Sequence, residues 1–262
     1  MLIDMASDIH LSYFTDLGKD FYVANAPVLA LLGDVCQANQ IKRMHPVFRR
    51  ISETWDKVFY VLGNHEFYES HLDSTVNQVK DALSRYKNIV VMDNESAIIE
   101  DVTFIGTTLW SDMDRNNPIT KIECQRSISD YFYIFPALNE FSFRSKAIVP
   151  DETVRLFNLN TDYLTDELKN STSEKIVILS HHAPSYQSIV ERYRTSPCNG
   201  AFASNAEYIM IDNPQVKLWL HGHCHSEIAY NVRQCQVFCH PKGYYGELFG
   251  HTHDYVPLTI EI

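Results

Sequence analysis

The sequence predicts an α/β fold with a second sheet beside the first. Two observations carry the prediction. Short apolar runs of strand length alternate with helical patterns along most of the chain, and two further stretches are rich in strands with no helix between them. Leu2 to Ala6 is the first run, and Pro27 to Leu32, Val58 to Leu62, Ile176 to Leu179 and Val216 to Leu220 repeat its form. Continuous apolar stretches this short read as buried strands. Between them Leu72, Val76, Val79, Leu83 and Tyr86 recur at helical spacing, as do Val154, Phe157, Leu164 and Leu168 after an N-cap expected at Asp151. Ile89 to Trp110 reads as three strands turning at Asp93-Asn94-Glu95, and Ile228 to Ile262 as a hairpin followed by a closing strand. These two stretches are what suggest the second sheet. Residues 111–150 show weak periodicity and many aromatics, among them Tyr131, Phe132, Phe141 and Phe143. Too apolar for a linker, the segment is expected to be a lid-like insertion covering the site of a single domain, 1–262.

Composition narrows the functional classes. With 45% hydrophobic and 12% aromatic residues, 262 residues can bury a substantial core. The formal net charge of -11 works against sequence-independent binding to nucleic acid or to anionic membranes, both of which need clustered Lys and Arg. No apolar stretch approaches the ~20 residues of a membrane span. The first ligand-like motif begins at Asp8, leaving no room for a cleavable signal peptide, so a soluble cytoplasmic protein is expected. The six cysteines form no CxxC pair and no small-scaffold spacing, so reduced thiols are expected.

Chemistry collects where the apolar runs end. The first runs into Ser7-Asp8-Ile9-His10, the second into Gly33-Asp34, the third into Gly63-Asn64-His65-Glu66, the fourth into His181-His182-Ala183-Pro184 and the fifth into His221-Gly222-His223-Cys224-His225. In open α/β sheets, ligands gather outside the carboxyl ends of strands, so five such endings can converge on one rim. Two carboxylates, an amide oxygen and several imidazoles suit Mn, Fe, Zn, Ni or Co better than a thiolate-selective metal. A carboxylate can bridge two divalent metal ions, and two ions about 3.5 to 4 Å apart can hold a hydroxide and offset charge on a phosphoryl group.

This order of Asp-x-His, Gly-Asp, Gly-Asn-His-Glu, His and Gly-His-x-His, spanning residues 8–225, resembles the calcineurin-like metallophosphoesterase superfamily. The resemblance implies a four-layer α/β/β/α sandwich of two mixed sheets. It implies that Asp8, His10, Asp34 and His225 hold one metal ion, that Asp34, Asn64, His181 and His223 hold the other, and that Asp34 bridges them. His65 would be the non-ligand histidine that contacts the substrate phosphate or protonates the leaving oxygen, a role suited to imidazole. Thr107 to Asp112, Ser129-Asp130-Tyr131, Ala201 to Ser204 and Pro241 to Tyr244 resemble segments of a bacterial and phage-type branch. From that branch the sequence departs at Phe132, where Arg is usual, and at His240, where Asn is usual.

Several assignments stay open on sequence. Either His181 or His182 could be the ligand. His181 directly follows its strand, which leaves His182 for support, packing or substrate. His221 lies one residue outside the motif and is not counted as a ligand. Gly250-His251-Thr252-His253 repeats the Gly-His-x-His pattern but precedes an apolar run, so it is expected to be a surface turn. Cys224 should point away from the metals if its segment is extended. Asn64, Trp110, Tyr131, His182 and Lys242 are the substrate-binding candidates, Lys242 as a point charge in place of a missing Arg fork.

The expected activity is hydrolysis of a phosphodiester or phosphomonoester, small or nucleotide-like, by a metal-bridging hydroxide with His65 assisting. The alternatives are a nuclease of the same superfamily, which should show a basic groove, and a non-catalytic adaptor, which should show eroded ligands. Neither feature is present in the sequence.

Overall fold

The apolar runs pack on both faces because their residues alternate. In the strand Val28–Leu32, Val28, Ala30 and Leu32 enter one buried cluster, while Leu29 and Leu31 enter another on the opposite face. A strand buried on both sides needs a layer on each, and that requirement sets the architecture.

The structure is a computed structural model that describes residues 1–13, 17–137, 146–247 and 255–262. Its strands are β1 (Leu2–Ala6), β2 (Val28–Leu32), β3 (Lys57–Val61), β4 (Ser70–His71), β5 (Ile89–Met92), β6 (Glu95–Ile99), β7 (Val102–Thr107), β8 (Ile134–Phe135), β9 (Lys175–Ser180), β10 (Val216–His221), β11 (Ile228–Val232), β12 (Cys235–Cys239) and β13 (Leu258–Glu261). Its helical segments are α1 (His45–Thr54), α2 (Thr75–Leu83), α3 (Met113–Asn116), α4 (Pro118–Ser127), α5 (Asp130–Tyr133), α6 (Pro150–Asn170) and α7 (Glu207–Asp212).

One sheet has the order β13-β1-β2-β3-β5, parallel except for β13, and the other has the order β11-β12-β10-β9-β7-β6, parallel except at its two edges. They pack face to face. Ile3, Met5, Phe59 and Val61 from one meet Phe104, Val177, Leu179 and Leu220 from the other, with the Phe59 and Phe104 ring centroids 4.7 Å apart. Burying side chains of this size contributes roughly 1.5 to 3 kcal/mol each. Helices α1 and α2 cover the first sheet, and α6 and α7 the second. The result is the four-layer α/β/β/α sandwich.

Some local expectations are corrected. The second sheet is not confined to the two strand-rich stretches, because β9 and β10 form its centre, whereas β5 and the closing strand β13 join the first sheet. The N-cap of α6 is Val149 with Pro150 at the first helical position, so Asp151 lies inside the first turn, where its charge suits the helix dipole. Residues 111–137 are more regular than their weak periodicity implied. The Asn117 side chain accepts from the N–H groups of Ile119 and Thr120 to start α4, and Met113 to Asn116 form a left-handed turn with φ of 49°, 53°, 57° and 63°. The Phe141 and Phe143 rings and the second Gly-His-x-His motif with His251 and His253 lie outside the described residues. No helix among the described residues is long and apolar enough to cross a membrane.

Candidate metal centre

All five motifs reach one rim. β1, β2 and β3 of the first sheet and β9 and β10 of the second end there, and after β1, β2 and β10 the chain turns through left-handed residues. Asp8 (φ 51°), His10 (φ 50°), Asp34 (φ 53°), His223 (φ 68°) and His225 (φ 43°) all adopt the left-handed region, which is costly for residues other than glycine and is kept where surrounding contacts over-determine it. The turns aim side chains back over the strand ends instead of along them. They also remove the extended geometry that would have turned Cys224 away, and Cys224 lines the cavity beside its two neighbours.

Two clusters of donor atoms form, Asp8 with His10 and His225 and Asp34 with His181 and His223; Asp34 links them through His10, and His10, Asp34 and His65 make a further group of donor atoms between the two. In the first, His225 Nε2 lies 3.1 Å from His10 Nε2 and 3.3 Å from Asp8 Oδ1, with Asp34 Oδ2 4.0 Å from His10 Nε2. In the second, His181 Nε2 lies 3.0 Å from Asn64 Oδ1, 3.2 Å from His223 Nδ1 and 3.4 Å from Asp34 Oδ1. His65 stands beside both, its Nε2 3.9 Å from Asp34 Oδ2.

The hydrogen bonds behind these atoms fit the donor set to cations. His181 Nδ1 donates to the Leu32 carbonyl oxygen at 2.7 Å, so neutral His181 presents the lone pair of Nε2. Asn64 Nδ2 donates to Asp130 Oδ1 at 2.7 Å, which leaves its Oδ1 facing inward. The second cluster therefore brings an imidazole lone pair, an amide oxygen and a carboxylate oxygen together with a further imidazole nitrogen. In the first cluster, His225 Nδ1 is 2.6 Å from Glu247 Oε2, so Nε2 again faces Asp8 as an acceptor. Buried acceptors repel one another unless positive charge sits among them. In the metal-free protein that charge is a proton: burial opposes it at His181, yet the Asp34 carboxylate raises the pKa to about 9, and at His225 Asp8 and Glu247 overcome burial and raise it to about 10. Asp34, though buried, is held well below the usual carboxylate range by His181 and His65.

Several groups that shape the site were not assigned a role from the sequence. Glu66 is fully buried and accepts from the N–H groups of Gly63 (2.6 Å), Asp34 (2.9 Å), Val35 (2.7 Å) and Cys36 (3.1 Å) and from the Tyr60 hydroxyl (2.7 Å), so one carboxylate ties the second and third strand-end loops together. Asp130 orients Asn64 and also accepts from the Tyr68 hydroxyl at 2.8 Å. Glu247 orients His225. The first two lie inside quoted motifs, but nothing local to Glu247 marks it: 22 residues separate it from the histidine it supports.

A cavity of about 440 Å³ opens over the clusters, lined by Asp34, Asn64, His65, His223 and His225 on one side and by Ile128, Ile189, Val190, Tyr193 and Phe202 on another. Of the sequence's substrate candidates only Asn64 lines it. Trp110 is buried between Phe67 and His182, at centroid distances of 5.3 and 5.4 Å. The Tyr131 hydroxyl is 3.3 Å from Thr153 Oγ1. His182 is buried behind His223, its Nδ1 3.3 Å from the Thr108 carbonyl, and Lys242 is buried with its backbone N–H on the Ser7 carbonyl. At the two departures, Phe132 is exposed, while His240 lies 3.3 Å from Glu227 and stacks on Tyr255.

The family model for calcineurin-like phosphoesterases matches residues 1–227. The chain belongs to that family. Uncharacterized protein L509 of Acanthamoeba polyphaga mimivirus is 34% identical to it over 256 residues, 88% of this chain and 87% of the relative. Among solved structures, the phosphopantetheinyl hydrolase PptH from Mycobacterium tuberculosis superposes with a TM-score of 0.67 at 13% identity, covering 92% of this chain and 89% of that one. A dimetal phosphatase from Danio rerio does so with a TM-score of 0.51 at 13% identity, covering 91% and 86%. At these identities the likeness to this calcineurin-like phosphoesterase is one of fold.

Proposed function

We propose that this calcineurin-like phosphoesterase hydrolyses small, nucleotide-like phosphoesters at a dinuclear metal centre. The observation that carries the reading is the convergence of acceptor atoms in two clusters linked through the Asp34 carboxylate. Asp8, His10, Asp34 and His225 would hold one ion, and Asp34, Asn64, His181 and His223 the other. Two divalent ions supply a water nucleophile at neutral pH and offset charge on the phosphoryl and leaving oxygens. The protein's own groups do the rest. Glu66 ties down the loop that carries Asp34, and Asp130 fixes the Asn64 amide with its oxygen inward, so these groups would hold two of the donors in place for an ion. His65, facing Asp34 from the cavity side, contacts the phosphate or delivers a proton toward the leaving oxygen. Tyr193, Phe202, Ile128 and Ile189 form an aromatic and aliphatic wall suited to the organic part of one nucleotide-sized ester. Ser127 to Asp130 of the insertion complete that wall, which supports reading the described part of the insertion, residues 111–137 and 146–150, as a cover within one domain.

The test is metal content and turnover together. Protein stripped with a chelator and reloaded with Mn, Fe, Zn, Ni or Co in turn is expected to take up two equivalents per chain. The loaded protein should then hydrolyse members of a panel of mono- and diester nucleotides. Saturation at one equivalent would overturn the dinuclear reading.

A further inference from the structure

Tyr244 belongs to none of the ligand motifs, yet its hydroxyl is 2.8 Å from His65 Nε2, a hydrogen bond between residues 179 positions apart. Its ring lies over the first cluster, 4.4 Å from the His10 ring and 4.5 Å from the His225 ring between centroids. Both Tyr244 and His65 line the cavity that contains Asp34 and Asn64. The nitrogen through which His65 faces the site is therefore already engaged by a hydroxyl.

A substrate oxygen that reaches this nitrogen must either push Tyr244 aside or work through it. The structure resists displacement. The Tyr244 N–H donates to Glu247 Oε2 at 3.0 Å, the same oxygen that lies 2.6 Å from His225 Nδ1. The Gly243 and Lys242 N–H groups donate to the carbonyls of Asp8 (3.1 Å) and Ser7 (3.0 Å), and Gly243 makes the turn at φ 81°. Tyr13 packs edge-on against the ring with centroids 5.7 Å apart. The backbone beneath Tyr244 is thus fastened to the strand end that carries Asp8 and His10, and the ring is held over the cluster by its neighbours.

We propose that Tyr244 is a further catalytic residue, whose hydroxyl stands between His65 and the leaving oxygen and relays the proton to it. The relay rests on the phosphoesterase reading above. As the bond from phosphorus to the leaving oxygen breaks, its electron pair stays on that oxygen, which takes the Tyr244 hydroxyl proton. The Tyr244 oxygen takes the proton from His65 Nε2 in the same step, so tyrosine ends neutral and His65 ends as neutral imidazole. No oxidant or further reactant is needed.

The test compares Tyr244→Phe, His65→Ala and the double variant, each with metal content measured, on two esters of one phosphoryl group. One ester releases p-nitrophenol, whose anion departs unaided, and the other releases a simple alkyl alcohol, whose oxygen must be protonated. Tyr244→Phe is expected to keep its metal and to lose roughly 100-fold or more in kcat on the alkyl ester, the range of general acid catalysis, and far less on the nitrophenyl ester. The double variant should be no worse than the His65 variant, because two members of one relay are not additive. In protein labelled with 15N-histidine, the His65 Nε2 resonance should move in Tyr244→Phe with no substrate present. An equal loss on both esters, additive losses in the double variant or an unmoved resonance would overturn the relay while leaving the phosphoesterase reading in place. If metal-loaded wild-type protein cleaves neither ester, nor any member of the nucleotide panel, the phosphoesterase reading fails and the relay falls with it.

Discussion

Asp130 shows how one side chain decides what another can do. An amide can present oxygen or nitrogen, and the Asp130 carboxylate, by taking Asn64 Nδ2 at 2.7 Å, leaves only oxygen for the second cluster. Asp130→Ala is expected to weaken the second metal site by about 10- to 100-fold while sparing the first, measured by chelator competition for the two ions. Asp34 is different because both proposed ligand sets draw on it. Asp34→Asn should lower occupancy at both sites and abolish turnover, and full two-metal loading of that variant would remove Asp34 as the bridge. His65 donates no atom to either proposed ligand set, so His65→Ala should retain two metals by elemental analysis and lower kcat about 10²- to 10⁴-fold.

At the scale of elements, the loops that follow β2 and β3 are pressed together by Glu66, and the contact leaves no room for a side chain at Gly63. A Cβ there would lie 2.6 Å from the Asp34 backbone nitrogen and collide with the Asp34 carboxylate as well. Gly63→Ala must therefore move the loop that presents Asp34. It is expected to cost more than about 2 kcal/mol in urea unfolding and to lower metal affinity together with stability. An exposed helix start gives the contrast. Asn117→Ala removes the cap of α4 and should cost about 1 kcal/mol with metal content unchanged.

Across the whole molecule, the two sheets each contribute strand ends to one rim, so the metals would bridge the sandwich. Metal loading should raise the melting temperature, and a chelator should return it to the metal-free value, because ions bound only by the folded state stabilise it. The sign of the pH effect follows from the two raised histidines. With pKa values of about 9 and 10 in the metal-free protein, His181 and His225 are protonated at pH 7, and each must be neutral to bind an ion. Metal uptake at pH 7 should therefore release protons, and affinity should rise as pH rises toward those values. Calorimetry in buffers of different ionisation enthalpy checks this, and an enthalpy independent of buffer would contradict it.

The sequence by itself determined the α/β layering and the five strand-end motifs. Strand burial and chain punctuation are local: an apolar run followed by Gly-Asp or Gly-Asn-His-Glu reads the same whatever it packs against. Those motifs also carried the resemblance to the superfamily, and with it the four-layer sandwich. Tertiary structure decided what needed a partner from far along the chain. It assigned β9 and β10 to the centre of the second sheet, placed Trp110, Tyr131, His182 and Lys242 behind the cavity wall, and brought Glu247 to His225 and Tyr244 to His65. None of those contacts has a spacing to read. The donor side chains of the rim leave their strands through left-handed turns at Asp8, Asp34 and His223, and the other contacts rest on strand pairing and on burial that makes an unpaired polar atom costly.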